Sequence, residues 1–338
     1  MNRGDDRPDA APCVRAVLFD TQAADRELDE GELDALLPAD GQLLWVDVEG
    51  MDVEAAITAV LSLAARLGLQ DAERAVREAL DGKPRLRNHD DWFLVQAMAV
   101  GIVNDTHVRG IPMLLLCGRN TVLTAHLGSL AFLQELRTRE QADSRIGALG
   151  AESFSASLLG WLLDGYLDAV SGFEAEVDQL EVELLANPRH RECLPELAAL
   201  RRRASHIRRL LAPHRAVFGA MARPDFRPDA GADVERQFRA LEQRFERAVD
   251  AADNARDLLV GTFELYSTRS AERTNDTMRA LTFVTVLLGT LVVFAGILGM
   301  NFQAPFFDTG ARGFWVAVVG MGVVTVLAVL VARLRRWI

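Results

Sequence analysis

Two uncharged apolar runs close to one another constrain this chain more than any other feature. Residues 281–300 are twenty positions without a charge, and residues 314–332 are nineteen more. At ~1.5 Å of rise per residue, twenty helical residues span ~30 Å, the thickness of a bilayer's hydrocarbon core. Both runs therefore read as transmembrane helices, joined by a short loop over 301–313. Such a hairpin puts its two flanks on one side of the membrane. Arg279 precedes the first run, Arg333, Arg335 and Arg336 follow the second, and Arg312 in the loop is offset by Asp308. Because basic flanks stay in the cytosol, a multi-pass protein of the cell membrane is expected. Its N-terminal portion and its basic tail, 333–338, would be cytosolic and its loop external.

Charge divides the chain in the same place. The whole carries −11, yet residues 278–338 hold five arginines against one aspartate, so the preceding 277 residues carry −15. An acidic portion of that size repels nucleic acid and attracts metal cations. No basic-then-apolar leader opens the sequence, and residues 1–12 read as a disordered start. Cys13, Cys117 and Cys193 are odd in number and far apart, as reduced thiols would be rather than a disulfide framework. Cys117 reads as a small buried hydrophobe. The six histidines are scattered and form no zinc spacing.

Residues 13–150 alternate strand-like and helix-like stretches. Short apolar runs at 14–20, 42–48, 92–100, 111–117 and 121–126 predict strands, with "CGRN" turning the last two into a hairpin. Between 52 and 81 the spacing predicts helix, broken at Gly68 and Gly82. His126 reads as a satisfied structural histidine, and Asp90 with Asp91 as a turn or strand entry. Residues 151–230 are rich in helix formers, interrupted at Pro188 and Pro213. Acidic 173–185 and the five arginines of 201–209 favour pairing of two neighbouring helices; a phosphate or headgroup patch is the other reading of those arginines. From Asp233 no proline occurs before Pro305, while Val234, Phe238, Leu241, Phe245, Ala248, Ala252, Ala255, Leu259, Thr262 and Tyr266 recur in steps of four and three. That seam predicts one helix from about Asp233 to Met300, a stalk over 231–280 continuing into the first span.

The string "TNDTMRALTFVTVLLGTLVVFAGILGMNF", residues 274–302, ends its apolar run on Gly299, Met300 and Asn301. With the closing "RLRRWI" it resembles the CorA family of divalent-cation channels, marked by Gly-Met-Asn at the outer end of the first of two C-terminal helices. The resemblance implies an α+β cytosolic domain with a mixed sheet flanked by helices, long stalk helices, and a homopentamer whose first span lines the pore. It implies a selectivity loop at Gly299, Met300 and Asn301. It also implies a polar ring and apolar constriction at Asn275, Met278 and Leu281, and closure when cytosolic divalent cation bridges stalk carboxylates. Glu264, Asp257 and Asp253 are the stalk acids to examine, with Glu264 at a matching position. A solvated helix face explains the same acids equally.

Met278, Leu281, Thr282, Thr285, Gly289, Val292, Gly296 and Gly299 share one face of the first span. Either they narrow and wet a conducting axis, or Thr and Gly merely permit close helix packing. Two helices alone cannot enclose water, so conduction needs several copies. At the mouth, five Asn301 carboxamides could accept hydrogen bonds from water in the first shell of Mg²⁺, an ion that sheds its water reluctantly. Gly299 is expected to permit a tight turn, and Met300 to brace the loop. The family's acidic Met-Pro-Glu loop is replaced here by "FQAPFFDTG", which keeps Pro305 and moves the acid to Asp308. No enzyme cofactor is expected; Mg²⁺, or Co²⁺, Ni²⁺ or Zn²⁺, would be transported and regulatory. Altered residues after Asn301, and "LLAPHRAVFGAMARPDF", leave a zinc transporter resembling the ZntB branch as an alternative. A membrane-anchored coiled-coil scaffold is an alternative of another class. No nucleophile–base pair or phosphate loop points to an enzyme.

Overall fold

The computed structural model describes residues 11–335 except 35, 37, 51, 70, 80–81, 104–106, 140–145, 147–148, 187–192 and 301–309. The expected disordered start therefore lies almost wholly outside the described residues. Strand β1 (Cys13–Asp20) opens the fold, followed by β2 (Arg26–Leu28), β3 (Gln42–Gly50), α1 (Val53–Arg66), α2 (Ala72–Glu78), β4 (Arg85–Asn88), β5 (Phe93–Val103), β6 (His107–Cys117) and β7 (Thr121–Leu127). Then come α3 (Ala131–Arg139), α4 (Ala151–Ala186), α5 (Cys193–Leu211), α6 (Arg215–Met221), α7 (Ala232–Leu298) and α8 (Gly310–Leu334).

The strands form one mixed sheet in the order β2-β1-β3-β7-β6-β5-β4, in which only the central β3–β7 pair is parallel. β3 is an almost unbroken apolar run, as suits a strand covered on both faces. The expected hairpin is present: the Gly118 N–H donates to the Thr121 carbonyl at 2.8 Å, and Cys117 pairs with Val122. The sheet's outer strands, β2 and β4, went unpredicted. At three and four residues, "REL" and "RLRN" carry no apolar alternation, and short charged strands are what a sheet edge requires.

Helix α1 starts where the Asp52 carboxylate accepts the Ala55 N–H at 2.8 Å and stops at Gly68, whose φ of +71° is a glycine conformation. With α2 it covers one sheet face, packing Ile57, Val60, Leu63 and Val76 on Val46, Val48, Leu94, Leu116 and Leu123. The other face is aromatic. Phe154 of α4 lies 5.9 Å from Phe19 and 5.7 Å from Trp45, and Phe93 lies 5.2 Å from Phe226 and 6.2 Å from Phe238 of α7.

The predicted stalk seam is buried within the chain itself. Phe238, Leu241, Phe245, Ala248, Ala252, Ala255, Leu259 and Thr262 are all buried, so this heptad is an internal packing stripe rather than a free coiled-coil surface. The acidic and arginine-rich helices also meet as expected: Arg203 of α5 pairs with Glu176 of α4 at 2.5 Å.

The chain divides into two compact units, one of residues 1–182 with 191–260 and one of residues 183–190 with 261–338. In the second, the last turns of α7 and the whole of α8 are apolar helices with mean hydropathy of 2.5 and 2.6 over their best windows. The uncharged runs within them, 281–298 of α7 and 314–332 of α8, are uncovered on most sides and built for a hydrocarbon solvent.

Candidate functional site

Within the second unit the two apolar helices show each other narrow stripes. On α7 the half-buried positions are Ala280, Phe283, Leu287, Leu291 and Leu298; on α8 they are Gly313, Ala317, Met321, Thr325 and Ala328, with Ala332 buried. Spacing of three and four keeps each set on one side. At ~100° per residue, Met278, Thr282, Thr285, Gly289, Val292 and Gly296 fall within ~50° of the direction opposite the α7 stripe. Asn275 and Leu281 edge the same face. These predicted pore-lining residues are all exposed, Val292 to 69%.

A Cβ added at Gly289 or Gly296 would meet nothing within 4 Å. Their smallness is therefore not needed for packing inside one chain, which removes the intrachain version of the packing reading. Thr285 donates its hydroxyl hydrogen to the Leu281 carbonyl at 2.9 Å. Its oxygen lone pairs are left for whatever lies outside the helix.

At the end of α7, the Gly299 N–H reaches the Ala295 carbonyl at 2.9 Å and the Met300 N–H reaches Ile297 at 3.2 Å, tightening the last turn. Gly299 does not adopt a positive φ, so its constraint is space: a Cβ would sit 3.3 Å from the Ala295 carbonyl oxygen. Met300, expected to brace the loop, is 49% exposed in the single chain. Asn301 and Asp308 lie outside the described residues. α8 opens on Gly310 at φ +55°, a left-handed start that glycine adopts without strain.

The three stalk acids share a face of α7 away from the buried seam. Asp257 and Glu264 are exposed. Asp253 has the Arg208 guanidinium 2.9 Å from its Oδ1, without hydrogen-bond alignment, and is thus already partly neutralised. Among the described residues no group of three or more His, Cys, Asp or Glu side chains gathers around a metal-sized space.

Two buried histidines prove structural. His126 reads as a satisfied histidine, and its Nδ1–H meets the Gly128 carbonyl while burial holds its pKa below the ordinary value. Its Nε2 faces Asp47 at 3.4 Å, and a neutral ring makes no ion pair there. Asp47 is 2% exposed and is instead held by Arg137 and by Thr124 Oγ1 at 2.5 Å, which in turn accepts from Trp45 Nε1 at 3.0 Å. The sequence carried one missed sign of this network: a lone carboxylate inside the apolar run of β3. His214, in the segment that suggests a zinc branch, is sealed in a core. Its Nδ1–H donates to the Leu211 carbonyl at 3.0 Å, its Nε2 accepts the Met98 N–H at 2.9 Å, and burial pushes its pKa down to about 4.

A mixed α/β unit, one helix running on into an apolar span, and a second apolar helix after it define a class: membrane proteins with a C-terminal helical pair. The family is resolved by comparison, since the family of CorA-like Mg²⁺ transporter proteins matches residues 40–336. The chain belongs to that family, which transports divalent cations and is not a family of enzymes. The cobalt/magnesium transport protein CorA of Methanocaldococcus jannaschii is 22% identical over 94% of this chain and 98% of its own length. Its complete structure superposes with a TM-score of 0.72 over 96% and 98% of the two chains, at 22% identity. The full-length structure of CmaX gives a TM-score of 0.69 at 23% identity, over 98% and 99%. CorA of Thermotoga maritima is 28% identical, over 54% of this chain, and that match spans about half (51%) of the relative's length.

Proposed function

We propose that this chain assembles as a homopentamer in the cell membrane, both termini cytosolic, and conducts Mg²⁺, with Co²⁺ and Ni²⁺ as accepted congeners. One observation carries the reading. The face of α7 opposite α8 is uncovered over the full depth of the span, and it holds Thr282, Thr285, Gly289 and Gly296: a Cβ at either glycine would meet nothing, and Thr285 spends its hydroxyl hydrogen on its own helix but keeps its oxygen lone pairs outward. Copies arranged about an axis put that face on a common water-filled path.

In this assembly 231–280 form the stalk, 281–300 the pore helix, 301–313 the outer loop and 314–332 the outer helix. Asn275, Met278 and Leu281 make the cytosolic constriction, and Asp308 adds negative potential at the mouth. Asn301, beside Gly299 and Met300, accepts hydrogen bonds from the hydrated ion, sparing most of its dehydration cost. Influx needs no other energy source, because a divalent ion crossing ~100 mV gains ~4.6 kcal/mol. Asp253, Asp257 and Glu264, paired with acids of a neighbouring copy, supply the closing site when internal Mg²⁺ is high.

The test is Mg²⁺ entry into vesicles reconstituted with the purified chain, alongside Asn301→Ala. Flux in the parent and its loss in an intact, correctly sized Asn301→Ala assembly is the expected result. Vesicles that stay closed to Mg²⁺, Co²⁺ and Ni²⁺ alike would overturn the channel, and equal flux with Asn301→Ala would remove the carboxamide ring.

A further inference from the structure

Between the two apolar helices runs a groove of about 420 Å³, walled by Phe283 of α7 and by Val324, Leu327, Ala328 and Val331 of α8, with Arg335 at one end. Every wall is hydrocarbon except that end. From Val324 to Arg335 the groove follows eleven residues of α8, ~16 Å of helix, close to the ~15 Å depth of one leaflet. Small Ala328 makes room where a larger side chain would close the space. Arg279 stands one turn before Phe283 on the same side of α7, so the charged end of the groove is flanked from both helices. Arg279 lies 3.7 Å from Asp276, a loose and exposed pair that leaves its guanidinium donors largely uncommitted.

We infer that this groove is a binding site for an anionic diacyl phospholipid of the cytosolic leaflet, with one acyl chain along α8 and the phosphate on Arg335. Charge complementarity selects the occupant. A hydrocarbon slot alone takes any acyl chain, whereas a guanidinium fork at the headgroup depth, in a region of excess positive charge, favours phosphate without a compensating cation. The inference rests on the transport reading only for naming the leaflet, and lipid retention is read whether or not the assembly conducts.

The test is native mass spectrometry of the purified full chain, washed in detergent and offered phosphatidylglycerol and phosphatidylcholine in equal amounts. Preferential retention of phosphatidylglycerol is expected. Arg335→Gln reduces the preference about fivefold, the effect of one arginine near the surface. Ala328→Phe fills the slot and reduces retention of both lipids, and Val326→Phe, on the opposite side of α8, changes neither. Unchanged phosphatidylglycerol retention in both Arg335→Gln and Ala328→Phe overturns the site. An Ala328→Phe assembly that separates into single chains with its lipid count unchanged overturns it too, because a neighbouring copy then occupies the groove. Cation flux from the same preparations tests the channel separately.

Discussion

At the scale of single residues, His214 links burial to pH. Its folded pKa of about 4 lies below the unfolded value near 6.5, so the unfolded chain binds the extra proton between those limits. The contribution of the neutral ring is complete above about pH 6.5 and is lost as pH falls to about 4, a change of roughly 3 kcal/mol. Thermal unfolding of the detergent-solubilised chain should therefore weaken over that window, and His214→Gln should flatten the dependence while lowering stability at pH 7 through the Met98 N–H. Asp47 gives a second residue-scale prediction. Arg137→Met leaves a buried carboxylate with Thr124 as its remaining close partner, and should cost about 3 kcal/mol in denaturant unfolding. Little of this was legible beforehand. Local spacing shows Asp47 and His214 without partners, because Arg137 and Met98 reach them only across 90 and 116 residues of chain.

Elements were legible in proportion to their periodicity. The 67-residue α7 followed from ten seam positions without a proline, and eight of those positions are buried. Phe245, fully buried against Phe218 at 5.3 Å, should cost 3–5 kcal/mol as Phe245→Ala, whereas Val260→Ala, half exposed on the same helix, should stay within about 0.5 kcal/mol. Denaturation midpoints of the two variants compare them directly. What the seam could not reveal is its partner. A heptad looks the same whether a second copy or the chain's own sheet and helices cover it, and here Phe93, Phe218 and Phe226 supply the cover. The edge strands escaped for the opposite reason, since a strand of three or four residues with a single leucine exists only because β1 or β5 offers it a ladder.

For the molecule as a whole, the acidic portion and the membrane pair make one functional prediction. If internal Mg²⁺ closes the assembly by bridging stalk acids, Glu264→Ala with Asp257→Ala should leave flux several-fold less inhibited by millimolar internal Mg²⁺. Unchanged inhibition would exclude both acids. Asp253→Ala should have a smaller effect on inhibition, because Arg208 already lies 2.9 Å from its carboxylate. The family was readable because Gly-Met-Asn stands at the end of a span, a coincidence of motif and place. Whether copies meet around the uncovered face of α7 was not readable, since one chain's sequence records its own burial and not the symmetry of an assembly.

The hydroxyl of Thr285 carries a consequence of its own. With its hydrogen committed to Leu281, a ring of such oxygens in the assembly proposed above would offer passers-by electron pairs only. Chloride and other anions, which need hydrogens pointed at them, would find none at that level, whereas the water around a metal ion brings its own. Discrimination by sign of charge would thus begin in the wall of the helix, below the mouth, and survive the loss of every carboxylate outside it.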